Sequence, residues 1–278
     1  MTRLFRTGTL AAALSLALAA TAAAETLRTG IDGTFAPHAM PTLDGKTEGF
    51  NIDLLEALKE RLGVEIELDV AQFSGLLPGM QAGTYDFLIA PTTVSEERAE
   101  NMLFTEGYLN TDFQFLVKAG TPEVESLEGF AGKTIAVNKG SVYDRWARDL
   151  EGEIGWTVES YGTNLDAIQA VTSGRAFANV AGNTNGAWAV KQNPQLELSY
   201  LHSTGRVFAM PLRLDSAELR VTLENAIECM KLDGTIAELH EKWFGYAPAP
   251  DSAAATVFPG TGVPGLEGYD PTPREPSC

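Results

Sequence analysis

The apolar run Tyr85-Asp86-Phe87-Leu88-Ile89-Ala90, closed by Pro91, constrains the fold of this chain more than any other stretch. It predicts a short buried strand. Thr92-Thr93-Val94-Ser95-Glu96-Glu97-Arg98 follows at once, so hydroxyls and one guanidinium fall just beyond the strand's carboxyl end. Open α/β sheets hold their ligands there. A planar guanidinium beside hydroxyl and backbone donors is suited to a two-point grip on a carboxylate. A polar loop with a solvated arginine would satisfy the stretch taken alone, so the rest of the chain has to decide between the two.

That rest alternates short apolar strands with amphipathic helices, the pattern of α/β layers. Ile52, Leu55, Leu58 and Leu62 recur at helical spacing, and Gly63 is placed to end the helix. Val64 to Val70 alternates strictly, as a half-buried strand does. Thr134-Ile135-Ala136-Val137 predicts a strand leading through Asn138-Lys139-Gly140-Ser141 into a helix that reaches Trp146. Ala167–Val171 reads as helix, closed by Ser173-Gly174-Arg175, and Phe177–Ala181 returns to strand. Leu219, Leu223, Ala226, Ile227 and Met230 form one face of a longer helix. From Ala247 to Cys278 the chain is rich in Pro, Gly and Ala without apolar period, which predicts an extended or disordered tail.

The first 24 residues read as an export signal. Arg3 and Arg6 supply a positive start, Leu10 to Ala20 an apolar stretch, and Ala22-Ala23-Ala24 a small-residue cleavage pattern. The expected location is therefore the periplasm, with Glu25 opening the mature chain. Loss of the two arginines makes the formal charge of −17 still more negative. Such an acidic protein should avoid nucleic acid and anionic membrane surfaces. Cys229 and Cys278 are the two cysteines. They are either one buried and one terminal thiol or, in an oxidising compartment, a disulfide tying the tail to the body.

Several chemistries find no support. His38, His202 and His240 lack metal-ligand spacing and read as surface or structural histidines, and no nucleophile elbow is present. Glu96-Glu97 reads as a solvated face. Gly260-Thr261-Gly262-Val263-Pro264-Gly265 matches the dinucleotide fingerprint by letter but lacks the flanking strand and helix. No cofactor is expected.

An ordered set of motifs carries a resemblance. Gly49-Phe50-Asn51-Ile52-Asp53-Leu54-Leu55-Glu56-Ala57-Leu58 is followed by Phe73-Ser74-Gly75-Leu76-Leu77-Pro78-Gly79-Met80-Gln81-Ala82-Gly83. Near the far end stand Asp233-Gly234-Thr235-Ile236 and Glu241-Lys242-Trp243-Phe244-Gly245. Over Leu27 to Gly245 the chain resembles the family 3 extracellular solute-binding proteins, receptors of polar amino-acid ABC importers. The resemblance implies a two-lobed α/β periplasmic-binding-protein fold with two crossing strands as hinge, near Phe113–Lys118 and Arg206–Leu212. Residues 25–115 and 210–246 would form the first lobe, 116–209 the second, and 247–278 the tail. It also implies a monomer that delivers a small carboxylated solute, an amino acid or a derivative, to a membrane-embedded ABC permease, with no catalysis. Arg98 would hold the carboxylate, Thr93 would offer hydroxyl and amide, and Phe35 and Phe73 would cover the solute's apolar part. Ser141, in the Gly140-Ser141 turn, would meet the carboxylate from the second lobe, with Asn138, Asp32 and Asn183 as further contacts.

Two departures matter. Family members usually carry an aspartate for the ligand's ammonium where Gly182 stands, and neither Gly182 nor Asn183 is charged. Pro91 replaces a frequent glycine. Two rival functions share the fold. One is an enzyme similar to the cyclohexadienyl dehydratases, whose Gly-Gly-Thr-Asn-Glu segment here reads Lys139-Gly140-Ser141-Val142-Tyr143-Asp144, without the Glu. The other is a binding partner of a periplasmic dehydrogenase system.

Overall fold

The computed structural model describes residues 26–278, so the export signal lies outside the described residues. A first sheet runs Ile66–Val70, Leu27–Ile31, Phe87–Leu88, Pro211–Leu212, Leu103–Phe104. Its first three strands are parallel, and Pro211–Leu212 returns antiparallel from the far end of the chain. The first lobe is therefore discontinuous in sequence. The second sheet runs Thr157–Tyr161, Thr134–Asn138, Ala178–Gly182, Leu109–Lys118, Leu196–Ala209, Thr92–Thr93.

The helices follow the sequence pattern. Phe50–Leu62 buries Phe50, Leu54, Leu55 and Leu58, and Gly63 closes it at φ 64°, where its N–H donates to the Lys59 carbonyl. Asn164–Ser173 ends the same way at Gly174, and Ala217–Leu232 is the long helix expected. The strand expected over Tyr85–Ala90 is shorter, Phe87–Leu88. Its ladder is interrupted because the Ile89 N–H donates to the Thr29 hydroxyl (2.8 Å) and the Ile89 carbonyl accepts from Asn51 Nδ2 (2.7 Å).

Chain passes between the lobes on an antiparallel pair. Leu109–Lys118 and Leu196–Ala209 align from Leu196↔Lys118 to Phe208↔Leu109, with irregularities at Leu198/Leu201 and His202/Arg206. Pairing begins at Leu109, earlier than the expected crossing at Phe113. Thr92–Thr93 then adds to Phe208–Ala209, which fastens the loop carrying Arg98 to the seam between the lobes.

The expectation of an extended or disordered tail is corrected. Residues 247–278 are irregular but docked on the first lobe, with Ala253 and Ala254 buried. Glu224, Glu228 and Lys231 lie on one face of Ala217–Leu232 and receive it. Lys231 Nζ, fully buried, pairs with Glu106 (2.5 Å) and donates to the Gly107 and Thr256 carbonyls (2.7 and 2.8 Å). The other Glu106 oxygen accepts from the Phe258 N–H (3.0 Å). Arg274 pairs with Glu228 (2.7 Å), and Glu224 accepts from the Gly262 N–H (2.8 Å). That last bond turns the second glycine of the fingerprint-like segment toward a carboxylate, which is incompatible with a phosphate cradle there. Of the two readings of the cysteines, the disulfide holds: Cys229 and Cys278 are joined, with Cα atoms 5.5 Å apart.

The disulfide closes a loop over a sequence separation of 49. Chain-entropy arguments put its contribution at up to about 4 kcal/mol. The double variant Cys229→Ser, Cys278→Ser should unfold at lower denaturant and release the tail to early proteolysis after Gly245. Unchanged denaturation midpoints and cleavage patterns would contradict this.

Candidate functional site

Where the lobes face one another, Asp32, Phe35, Phe73, Pro91, Thr93, Arg98, Asn138, Ser141, Val142 and Tyr143 enclose a cavity of about 20 Å³. That is room for roughly one water, so a solute enters only when the lobes part. Seven of the eight residues singled out in the sequence meet here: Arg98, Thr93, Phe35, Phe73, Ser141, Asn138 and Asp32. Asn183 does not. It opens the helix Asn183–Gln192, and its Oδ1 accepts from the Asp112 N–H (3.3 Å).

Arg98 sits in the short helix Glu96–Ala99, whose N-cap Ser95 accepts from the Arg98 N–H. Its guanidinium donates to the Thr93 carbonyl (2.8 Å) and, across the cleft, to the Gly140 carbonyl (3.4 Å), and lies 5.8 Å from the Phe73 ring centre. Among the described residues it has no carboxylate partner within ion-pair distance. Burial pushes its pKa down to about 10, against the opposing pull of Tyr143 and Glu97, so it remains a cation at neutral pH. Five N–H donors in a fixed fork, two of them engaged with carbonyls, leave capacity for a carboxylate.

Asp32 is the one acid among the cavity's lining residues. Its Oδ1 accepts from the Thr34 N–H (2.9 Å) and hydroxyl (2.7 Å), and its Oδ2 from the Phe73 N–H (3.3 Å) and Asn138 Nδ2 (3.2 Å). Those four donors match the lone-pair capacity of a carboxylate. Asp32 therefore orders the cavity wall and links the lobes.

The second lobe contributes a helix start. Ser141 caps Val142–Asp149, accepting from the Asp144 N–H (3.1 Å). Gly140 precedes it at φ 77°, where a Cβ would also come within 3.1 Å of the Ser74 backbone. A glycine is needed there both for the left-handed backbone and for the close approach of the two lobes. Asp144, the nearest acid of this turn, is occupied: it accepts from the Gly140 N–H (2.9 Å), Arg148 Nε (2.9 Å) and the Ser160 hydroxyl (2.6 Å).

Comparison with known proteins concerns the chain as a whole. Residues 27–246 match the bacterial extracellular solute-binding proteins, family 3. The chain belongs to that family. This family 3 protein is similar to the L-cystine-binding protein TcyJ of Escherichia coli (strain K12), at 30% identity over 226 residues, 79% of this chain and 83% of the relative. It is also similar to a putative amino-acid ABC transporter-binding protein, PatH, of Vibrio harveyi, at 27% identity over 237 residues, 84% and 94% of the two chains. Among solved structures it resembles an ancestral arginine-binding protein bound to arginine, with TM-score 0.76 and 34% identity, over 79% of this chain and 98% of that one.

Sequence reasoning missed Tyr143 and Val142 in the cavity wall, because an aromatic and an aliphatic residue in a helix's first turn read as core. It also missed the part His38 plays between the lobes of this family 3 protein. His38 is fully buried, and its Nδ1 donates to Asn51 Oδ1 (2.9 Å) while its Nε2 accepts from the Thr184 hydroxyl of the second lobe (2.8 Å). Asn185 Nδ2 donates to the Ala36 carbonyl beside it (2.6 Å). The rings of Phe35, Phe50, Phe208 and Phe244 surround the imidazole. The reading of the histidines as structural fits His38, and also His240, whose Nδ1 donates to the Tyr246 carbonyl (2.7 Å).

Burial lowers the His38 pKa from 6.5 to about 4, with the Asn51 bond partly opposing. The unfolded chain takes up this proton near pH 6.5 and the folded chain refuses it until near pH 4. Stability should therefore fall as pH drops through that window, by up to about 3 kcal/mol. Glu228 acts in the opposite sense over an overlapping range, its pKa pushed up to about 7 by burial. The informative quantity is the difference between wild type and His38→Gln. Unfolding free energies measured from pH 7 to 4 should show a shallower acid loss in the variant, and parallel curves would refute the assignment.

Proposed function

We propose that this protein is a periplasmic receptor that captures a small carboxylated solute between its lobes and presents it to an ABC permease. The supporting observation is Arg98: a desolvated guanidinium at the lobe seam, hydrogen-bonded to carbonyls of both lobes and without an ion-pair partner among the described residues. A carboxylate bound there would join Thr93 of the first lobe to the Gly140-Ser141 turn of the second, so that binding favours closure. Phe35 and Phe73 would cover the solute's apolar part. The relatives named for cystine and for amino-acid ABC transport support the same assignment. The protein acts as a monomer exported by its leader, and needs no cofactor.

It is not an enzyme. General acid–base chemistry needs a titratable group free to exchange a proton with the bound molecule. Asp32, the cavity's lining acid, and Asp144 of the neighbouring turn have their oxygens engaged by donors of the protein itself, and burial raises the Tyr143 phenol to a pKa of about 12, so it holds its proton near neutral pH. Prephenate and arogenate should accordingly be recovered unchanged after incubation with the purified protein.

Arg98→Ala should abolish measurable solute binding while leaving the fold intact. Truncating one partner of a buried charge pair costs roughly 2–5 kcal/mol. Calorimetric titration of wild type and variant against a panel of amino acids and plain carboxylates tests this, and equal affinities in the two proteins would sink the proposal.

A further inference from the structure

The cavity wall carries two neutral polar atoms that the protein leaves without a well-formed hydrogen bond, Tyr143 Oη and Asn138 Oδ1. Both residues are 3% exposed. A third such atom, Thr111 Oγ1, flanks the first, on a residue 1% exposed. The Tyr143 phenol lies beside the hydroxyls of Thr111 and Thr93, yet neither Tyr143 Oη nor Thr111 Oγ1 makes a bond of acceptable geometry. Buried polar atoms left unpaired are uncommon and costly, and two of them on residues that line one cavity point to a ligand that completes them.

Gly182 makes this arrangement possible. A Cβ at that position would lie 3.0 Å from Tyr143 Oη and 3.4 Å from Thr111 Oγ1. The missing side chain leaves the space into which the phenol projects. Gly182 has φ −62° and ψ 146°, ordinary extended backbone, so the absence of a side chain is not a backbone requirement.

Charge then limits what can be bound. The charges acting on the Tyr143 hydroxyl are both positive, the guanidiniums of Arg98 and Arg206. Arg206 makes no ion pair among the described residues and stacks on the Phe113 ring, 5.6 Å from its centre. Asp32, the lining acid, already accepts from four donors. An ammonium placed against Tyr143 would meet two like charges and no free carboxylate, and a buried cation without a countercharge is expensive. A neutral hydroxyl at the same place has no such cost. Its hydrogen can go to Asn138 Oδ1, whose amide nitrogen is committed to Asp32, and its oxygen can accept from Tyr143 Oη.

We propose that the site selects a small monocarboxylate whose group next to the carboxylate is an uncharged hydrogen-bond donor, a hydroxyl in the simplest case, over the α-amino acid of the same skeleton. This rests on the assignment of Arg98 to the carboxylate. Tyr143 and Gly182 are then the residues that set the preference, Tyr143 by its hydroxyl and Gly182 by the space it leaves.

The test is calorimetric titration of the mature protein with matched pairs: L-lactate and L-alanine, L-2-hydroxyisocaproate and L-leucine, L-3-phenyllactate and L-phenylalanine. In every pair that binds, the hydroxy acid should bind at least about tenfold tighter. Tyr143→Phe should weaken hydroxy-acid binding about tenfold and so narrow the gap between the members of each pair, and Gly182→Asp should narrow or invert it. Equal or tighter binding of the amino acid by wild type overturns the inference, whether or not the variants fold. If that binding is still lost in Arg98→Ala, the receptor reading stands and only the preference falls. Absence of binding by all six probes, or binding indifferent to Arg98→Ala, overturns both.

Discussion

The antiparallel pair Leu109–Lys118 with Leu196–Ala209 is the constraint on which the rest of this structure depends. It carries the chain between the lobes, forms the interior of the second sheet, and ends at Phe208–Ala209, where Thr92–Thr93 joins it. Because Thr93 is held in that ladder, its carbonyl is a fixed acceptor for the Arg98 guanidinium, and Arg98 is aimed at the seam rather than into solvent. The register irregularities at Leu198/Leu201 and His202/Arg206 lie in the same pair. An interruption of the bulge type bends and twists a ladder locally, and here the second one, at His202/Arg206, precedes the Phe208–Ala209 end of the pair.

Contacts that cross the cleft include an exposed ion pair of Arg145 with Glu97 (3.0 Å), the tilted rings of Trp188 and Trp243 (centres 6.4 Å apart), and single hydrogen bonds. Asn138 Nδ2 donates to Asp32, Arg98 to the Gly140 carbonyl, the Thr184 hydroxyl to His38, and Asn185 to the Ala36 carbonyl. Net worth for such hydrogen bonds is only about 0.5–1.5 kcal/mol each. A closed arrangement held by bonds of that size can open and still be restored by a solute that adds charge-assisted bonds to both lobes. The tail does not share this lability. Its anchors are the disulfide and the Lys231–Glu106 and Arg274–Glu228 pairs, all on the first lobe. It thickens one lobe and leaves the hinge connections as the two strands.

Elements with a clear period were legible in the sequence, and elements held by single partners were not. Ile52, Leu55, Leu58 and Leu62 announce their helix because burying one face requires the spacing itself. The run Tyr85–Ala90 was read as a longer strand than forms, since apolarity does not reveal that the Thr29 hydroxyl and the Asn51 amide take the ladder positions at Ile89. Docking of the tail left no periodic signal because Phe258, Gly262 and Arg274 each meet one carboxylate on a distant helix. In the cleft, Arg98, Thr93, Phe35 and Ser141 stood out through their place in recognisable motifs. Asn183 misled for the opposite reason: adjacency to Gly182 in sequence gave it a position in the motif, while its carboxamide turns away to the Asp112 N–H.

The charge distribution completes the argument. At a formal charge of −17 the protein repels small anions at long range, a disadvantage for a receptor of carboxylates. Beyond a Debye length, about 8–10 Å at physiological ionic strength, that repulsion is largely screened. Inside the cleft the balance reverses, because the charges there are withdrawn from water and screened much less. Arg98 shows the withdrawal in its pKa of about 10, a cation with its hydration reduced by the surrounding wall. A carboxylate restores through direct bonds what burial removed, and the same desolvation that weakens the isolated cation strengthens the pair. Arg206 adds positive potential at the Tyr143 side of the cavity, where the sole lining acid is already saturated. On the proposed preference, selectivity in this cleft rests on which neighbouring oxygens still lack a partner, and the lining residues Tyr143 and Asn138 carry such oxygens.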